Sequence, residues 1–362
     1  MNVRRISDWD ALAAQHASDW QRLAAASPYA TVFQTWEWNA AWWKHHGRGK
    51  RLCALIIEDG GEIMGIAPLF SSLGPLRTLQ LVGSGGSDYL DLLALPGQEE
   101  AVAQAVGQWL TQNRRAWDWG DLQQIKPGAV AEQLPGADLW EGETCPYLPL
   151  PATYDAFLKT LGKKLRQNVG YYERSMAKEQ ALEMRLATEE TLLKDLDAFF
   201  RLHQLRWRGR WMPGAFAAAS ARAFHTEVAR ALLAAGNLRL HILLLDSVPV
   251  ASLYCFHKGQ TTFYYLGGFD PAIAKLSPGT VLTARAIRHA IEQDGATEFD
   301  FLRGDEGYKY RWGAQDRYNR RVSLTQTGLR SALLVTTGRW VLSLELTLKH
   351  WMHTRQGGAG KK

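Results

Sequence analysis

The sequence predicts a mixed α/β protein built of two similar halves. Three observations carry that expectation. Apolar strands flank a tight turn at residues 52–70 and again at 238–256, which reads as a hairpin in each half. Each hairpin is followed in the same order by a strand, a helix and an Asp-bearing strand. The length, 362 residues, exceeds one comfortable core and suits two domains.

Taken in order, Ser7-Asp8 caps a helix predicted over 9–23, and Pro28 interrupts before Thr35-Trp36-Glu37-Trp38 opens a second helix towards His45. The first hairpin turns at Glu58-Asp59-Gly60-Gly61. A strand over 79–82 leads into the polar loop Gly83-Ser84-Gly85-Gly86-Ser87-Asp88-Tyr89, strand character resumes over 90–95, and a helix (99–113) and a strand (118–125) follow. Pro127, Pro135, Pro146, Pro149 and Pro151 punctuate a stretch of little periodicity, which predicts a linker. The expected units are therefore 1–150 and 151–335, with 336–362 a C-terminal helix and frayed tail. The second unit opens on helical segments at 153–179, 191–208 and 215–235, the last ended by Gly236-Asn237. Its hairpin turns at Asp246-Ser247, and a strand (262–267), a loop (270–279), a helix (280–293) and a strand (298–302) complete the pattern. A diverged duplication explains the recurrence; chance repetition of common elements is the alternative.

Composition excludes several classes. Hydrophobic residues at 46% and charged residues at 22% fit neither a disordered polyelectrolyte nor a membrane protein. His241 and Asp246 interrupt the longest apolar stretch well short of the roughly 20 residues a bilayer requires, so no span is predicted. Acidic residues precede any apolar run at the N-terminus, and the three cysteines, Cys53, Cys145 and Cys255, are sparse, which together predict a cytoplasmic protein. The formal charge of +6 admits an anionic ligand, or a basic surface that serves solubility alone. Lys163, Lys164, Arg166, Arg174 and Lys178 interleave with Glu173 and Glu179 without any DNA-binding motif, so DNA is not expected. Neither the cysteines nor His45-His46 has metal-ligand spacing, and no nucleophile elbow, Walker A loop or dinucleotide fingerprint occurs; no metal is expected.

The chemistry-bearing segment is Ser277-Pro278-Gly279-Thr280, a helix start whose amides and dipole attract phosphate. It follows a strand ending Tyr265-Leu266-Gly267-Gly268, which offers backbone to an extended ligand; the pair would suit an acyl-CoA, and an ordinary helix cap reads the same way. Asp300 alternates with Phe299 and Phe301, so it either faces a cleft or fixes neighbouring backbone. Asp305 or Glu306 is the candidate base, Tyr308 the candidate acid, and Lys309 and Arg311 candidate anion ligands; salt bridges closing the loop would use the same residues. Arg303 and Trp312 flank that loop as substrate contacts. Asp88, Tyr89 and Asp91 reach towards the space between the halves, or serve only as turn residues. Helical spacing makes Trp38 and Trp42 core and leaves Trp36 or Trp43 as acceptor contacts; Arg206, Trp207, Arg208 and Trp211 form a second mixed cluster.

Phe33-Gln34-Thr35-Trp36-Glu37-Trp38 with Trp42, the strand at 65–69, the loop at 83–91, Arg206-Trp207, Val250-Ala251, 264–270, Ser277-Pro278-Gly279, Phe299-Asp300-Phe301, Gly304-Asp305-Glu306, Tyr308-Lys309 and Trp312 together resemble the CelD/BcsL-like, or BioF2-like, acetyltransferase family. That family is a branch of the GNAT superfamily related to the Fem peptidyltransferases. The resemblance implies tandem GNAT-like domains, each a mixed central sheet flanked by helices, with the first degenerate. It also implies transfer of an acetyl or other acyl group from acyl-CoA to an amine of a small molecule or amino sugar, often in polysaccharide or envelope metabolism. Residues 275–280 lack the glycine-rich pyrophosphate loop usual in GNAT enzymes, which leaves aminoacyl-tRNA, the donor of the Fem relatives, as an alternative. A noncatalytic accessory of polysaccharide biosynthesis is a third reading, and the tryptophan-rich surfaces are compatible with a homodimer.

Overall fold

Both predicted hairpins form, one in each of two sheets. The computed structural model describes residues 1–72, 76–178, 180–207 and 214–326, the side chains of Arg206 and Trp207 excepted. The first part runs β1 (Asn2–Ile6), α1 (Trp9–Ala26), α2 (Trp36–His46), β2 (Lys50–Asp59), β3 (Glu62–Ser72), β4 (Thr78–Leu81), β5 (Leu93–Ala94), α3 (Glu99–Gln112), β6 (Trp119–Ile125), β7 (Ala137–Thr144) and β8 (Tyr147–Pro149). It continues with α4 (Tyr154–Thr160), α5 (Lys163–Met176), β9 (Leu182–Leu186), α6 (Leu192–Trp207), α7 (Ala219–Ala234), β10 (Leu238–Leu245), β11 (Val248–Lys258), β12 (Thr261–Phe269), α8 (Pro278–Glu292), β13 (Glu298–Asp300), α9 (Gly307–Arg311) and β14 (Tyr318–Thr325).

The halves repeat one topology. The first sheet has the order β1-β2-β3-β4-β6-β14-β7, with β5 on β3; the second has β9-β10-β11-β12-β13-β8. In each, an edge strand and a hairpin are followed by a strand that pairs in parallel with the strand after the crossover helix, β4 with β6 and β12 with β13. The chain exchanges strands between the units. Residues 127–151, read as a linker, hold β7 and β8, and β8 pairs antiparallel with β13 of the second sheet. In return β14, which the sequence placed with the second unit, lies between β6 and β7 of the first. The predicted helix over 153–179 is broken at Leu161-Gly162 into α4 and α5. The predicted C-terminal helix, with Arg208 and Trp211, lies outside the described residues.

Strand alternation decides which face meets what. Leu240, Ile242, Tyr254, Phe256 and Phe263 point from the second sheet into a core continuous with that of the first half. Trp38 of α2 stands edge-on to Phe256 with ring centroids 5.6 Å apart and to Phe224 at 5.5 Å. Leu243, Leu253, Cys255 and Tyr264 point the other way, under the faces of α4, α5 and α8. Gly268 is required by close approach: a Cβ there would stand 2.4 Å from the backbone nitrogen of His203, so α6 rests directly on β12.

Candidate functional site

The site begins where two parallel strands part. β12 and β13 pair only through Thr261 with Glu298, Thr262 with Phe299 and Phe263 with Asp300. Beyond this β12 runs on to Phe269, while the other chain turns away as the Phe301 N–H bonds the Pro146 carbonyl at 2.9 Å. Leu302 takes a left-handed conformation, φ 56°, to make that exit. The gap opens into a cavity of about 350 Å³ between β11, the end of β12, the start of α8 and α9. Gly267, Gly268, Ser277, Gly279, Thr280, Tyr308 and Trp312, all predicted site residues, line it together with Arg311.

The helix start offers fewer amides than its sequence promises. Pro278 has no N–H, and those of Thr280 and Val281 both donate to the Ser277 carbonyl, at 2.9 and 3.2 Å. Gly279 keeps the remaining first-turn amide, and Ser277, at φ 49°, makes no side-chain cap. Hydroxyls supply what the backbone does not. Ser252 of β11, 2% exposed, lines the cavity, and its Oγ has no hydrogen-bond partner among the described residues. Burying a hydroxyl unsatisfied costs about 1–3 kcal/mol, so this atom points to a ligand that bonds it. Thr283 and Tyr264 also face the cavity. Sequence reasoning passed over Ser252 and Thr283 and took Tyr264 only as part of the 264–270 resemblance. The strand alternation that places Tyr264 and Tyr265 on opposite faces was the one signal available.

Other predicted residues are committed elsewhere. The Asp300 carboxylate is fully buried and does not face a cleft: it accepts from Tyr89 Oη at 2.7 Å, Arg317 Nη1 at 2.9 Å and the Leu302 N–H at 2.7 Å. Burial raises its pKa to about 6 against the pull of Arg317. Lys309 is buried, and its Nζ donates to the carbonyls of Leu302, Arg303 and Gly304, so it is an internal brace and not an anion ligand of the cavity. Asp305 and Glu306 are exposed, Glu306 pairs with Lys309 at 2.9 Å, and neither lines the cavity. From the short α9 it is Tyr308, half-buried, and the exposed Arg311 that line the cavity instead. Trp312 lines the cavity with one edge and is otherwise core, stacked near Phe157. Trp36 stacks on Trp9 with centroids 5.4 Å apart and is no acceptor platform. Arg206 and Trp207 end α6, and their side chains lie outside the described residues.

A second hollow, about 760 Å³, lies between the halves against the opposite face of β12. Asp88, Arg303, Tyr265, His46 and His225 line it. The Arg303 guanidinium sits 3.0 Å from the Asp88 carboxylate, whose pKa burial raises while Arg303 opposes the rise. Burial pushes the His225 imidazole down to about 3, so it is neutral at pH 7, and also lowers His46. The Phe33–Trp38 motif locks this hollow's floor. Gln34 Nε2 donates to the Tyr89 carbonyl and Trp38 Nε1 to Ser87 Oγ, while Tyr265 Oη reaches the Gly86 carbonyl from β12. Tyr89 then closes on Asp300, so a continuous set of bonds ties α2 to the point where the strands part.

Residues 163–310 match the model of the acetyltransferase (GNAT) domain. The second half carries a GNAT acetyltransferase domain. Among solved structures the fold is similar to that of FemX, at 12% identity and TM-score 0.61 over 89% of this chain and 97% of that one. It is also similar to the C-terminal domain (DUF2156) of a putative lysylphosphatidylglycerol synthetase from Agrobacterium fabrum, at 13% identity and TM-score 0.56 over 89% and 95%. L-PGS from Bacillus licheniformis follows at 12% and 0.50 over 86% and 96%. No curated protein matches the sequence. The two halves are thus tandem GNAT-like units, and the helix starts distinguish them. α3, the first unit's counterpart of α8, opens on Glu99 and Glu100, carboxylates that repel a phosphate at the amide end.

Proposed function

We propose that the protein is an acyl-CoA-dependent N-acyltransferase, with its donor in the cavity between β12 and α8 and its acceptor in the hollow between the halves. The parting of β12 from β13 over a cavity that contains the unpartnered Ser252 hydroxyl carries this reading. The free edge of β12 suits a pantetheine arm, and Gly279, Thr280 and Arg311 suit the diphosphate. In the reaction the acceptor nitrogen bonds to the thioester carbon and the carbon–sulfur bond breaks. The acceptor enters as an ammonium with three protons: one passes to a group of the second hollow before attack, one ends on the leaving thiolate by way of Tyr308, and the third stays as the amide N–H. Asp88 and His46 are the proton acceptors lining that hollow; His225, held down to about 3 by burial, is too weak a base, and Asp305 and Glu306 line neither hollow. The acceptor is an amine of a small molecule or amino sugar.

Release of free CoA thiol from acetyl-CoA, followed over a panel of amines and amino sugars, tests the reading. Tyr308→Phe should lower turnover about 10–100-fold and leave the acetyl-CoA affinity within about twofold, because the lost proton donor acts at the chemical step. Equal turnover removes Tyr308 from the acid role. Thiol release with none of the amines, together with saturable, salt-steep binding of charged tRNA, would replace the donor by aminoacyl-tRNA.

A further inference from the structure

A third hollow, about 890 Å³, lies where β2, β3 and β4 end against α2 and the start of α1, with Glu227 of α7 also lining it. Six cationic side chains line it against three acidic ones. Most of the latter are already engaged: Glu227 pairs with Lys44 at 2.9 Å, and Asp8 caps α1 through the Ala11 N–H. Two of the cations are likewise held, Arg77 by Asp118 at 2.7 Å and Lys50 by the His46 carbonyl at 2.5 Å. Arg5, Arg51 and Arg115 make no ion pair among the described residues. All three side chains are exposed around one concavity, and the guanidinium fork suits phosphate oxygens. The apolar wall beside them is Trp9 and Trp43, stacked with centroids 5.3 Å apart and planes at 11°.

We propose that this hollow binds a soluble organic diphosphate, its phosphates on Arg5, Arg51 and Arg115 and its body against the indoles of Trp9 and Trp43. The site is separate from the donor cavity and goes beyond the acyl-transfer reading. Isothermal titration with inorganic pyrophosphate at low ionic strength should show one equivalent bound by Gly279→Trp, whose filled donor cavity takes no diphosphate of its own. The double variant Arg51→Ala/Arg115→Ala, whose exposed side chains leave the fold intact, should weaken it at least about tenfold. The double variant is titrated in the same Gly279→Trp background. Tighter binding of ADP than of pyrophosphate supports an organic body against the edges of the indoles. Undiminished affinity in the double variant, uptake that never saturates, or no binding to Gly279→Trp overturns the site. So does adsorption to phosphatidylglycerol vesicles with neither soluble diphosphate bound. Because the readout is pyrophosphate and not acetyl-CoA, failure here leaves the transferase reading standing.

Discussion

Asp300→Ala is expected to cost about 2–4 kcal/mol of folding stability, the largest effect of any single substitution considered. The carboxylate joins three partners in a fully buried place: Tyr89 from the first half, Arg317 from the segment before β14, and the amide of Leu302 at its left-handed turn. Alanine strands the Tyr89 hydroxyl and the Leu302 N–H without acceptors and frees the strained turn. Arg317 retains Glu298 at 2.6 Å, which keeps the loss below that of an orphaned buried charge. Asp300→Asn should fall between, since its amide oxygen still serves Leu302. Chemical denaturation measures both. A loss under about 1 kcal/mol for alanine would mean that the halves are held by their shared apolar core alone.

The second large effect depends on pH. His241 is fully buried in β10 with neither ring nitrogen partnered among the described residues, and burial pushes its imidazole down to about 3. The groups facing it are His289, with ring centroids 5.4 Å away, and the Asp294–Arg239 pair. A depressed histidine contributes stability that is present above its unfolded pKa of about 6.5 and is lost as pH falls towards its folded value. The whole-protein curve conceals this. Asp91 and Asp300, whose carboxyls burial raises to about 7 and about 6, respond with the opposite sign and gain as pH falls. The comparison with His241→Phe isolates the histidine. The gap in favour of phenylalanine should widen by about 1.5–2 kcal/mol between pH 6.5 and 5. A gap that stays constant would mean that the ring is protonated, or hydrated, in the native state.

Local signals reached far in this sequence, and their limit has a physical cause. The hairpins, α1, α2, α3 and α8 follow from turn chemistry, caps and periodicity, which act within a few residues. β7, β8 and β14 are defined by partners in the other half, so the prolines at 127–151 read as a linker although the chain there pairs with both sheets. The same division holds at the site. Ser277, Gly279 and Thr280 were legible because a strand, a turn and a helix start are contiguous. Ser252, Thr283, His46 and His225 were not, since their facing depends on which element packs opposite. Lys309, Glu306 and Asp305 were read as chemistry because density of charge carries no direction. The five-residue α9 turns Lys309 onto backbone carbonyls and leaves both acids in water.

The central claim is that acyl-CoA lies along the free edge of β12 with its diphosphate at the start of α8. A Cβ on Gly279 would meet only Phe269, at 3.6 Å, so alanine fits there, while an indole would fill the cavity without disturbing the core. Calorimetric titration of acetyl-CoA into the wild type, Gly279→Ala and Gly279→Trp decides the matter. The account predicts saturable binding that alanine changes by less than about threefold and tryptophan weakens at least about 100-fold, with all three proteins equally stable. Equal affinity in the tryptophan variant would contradict it.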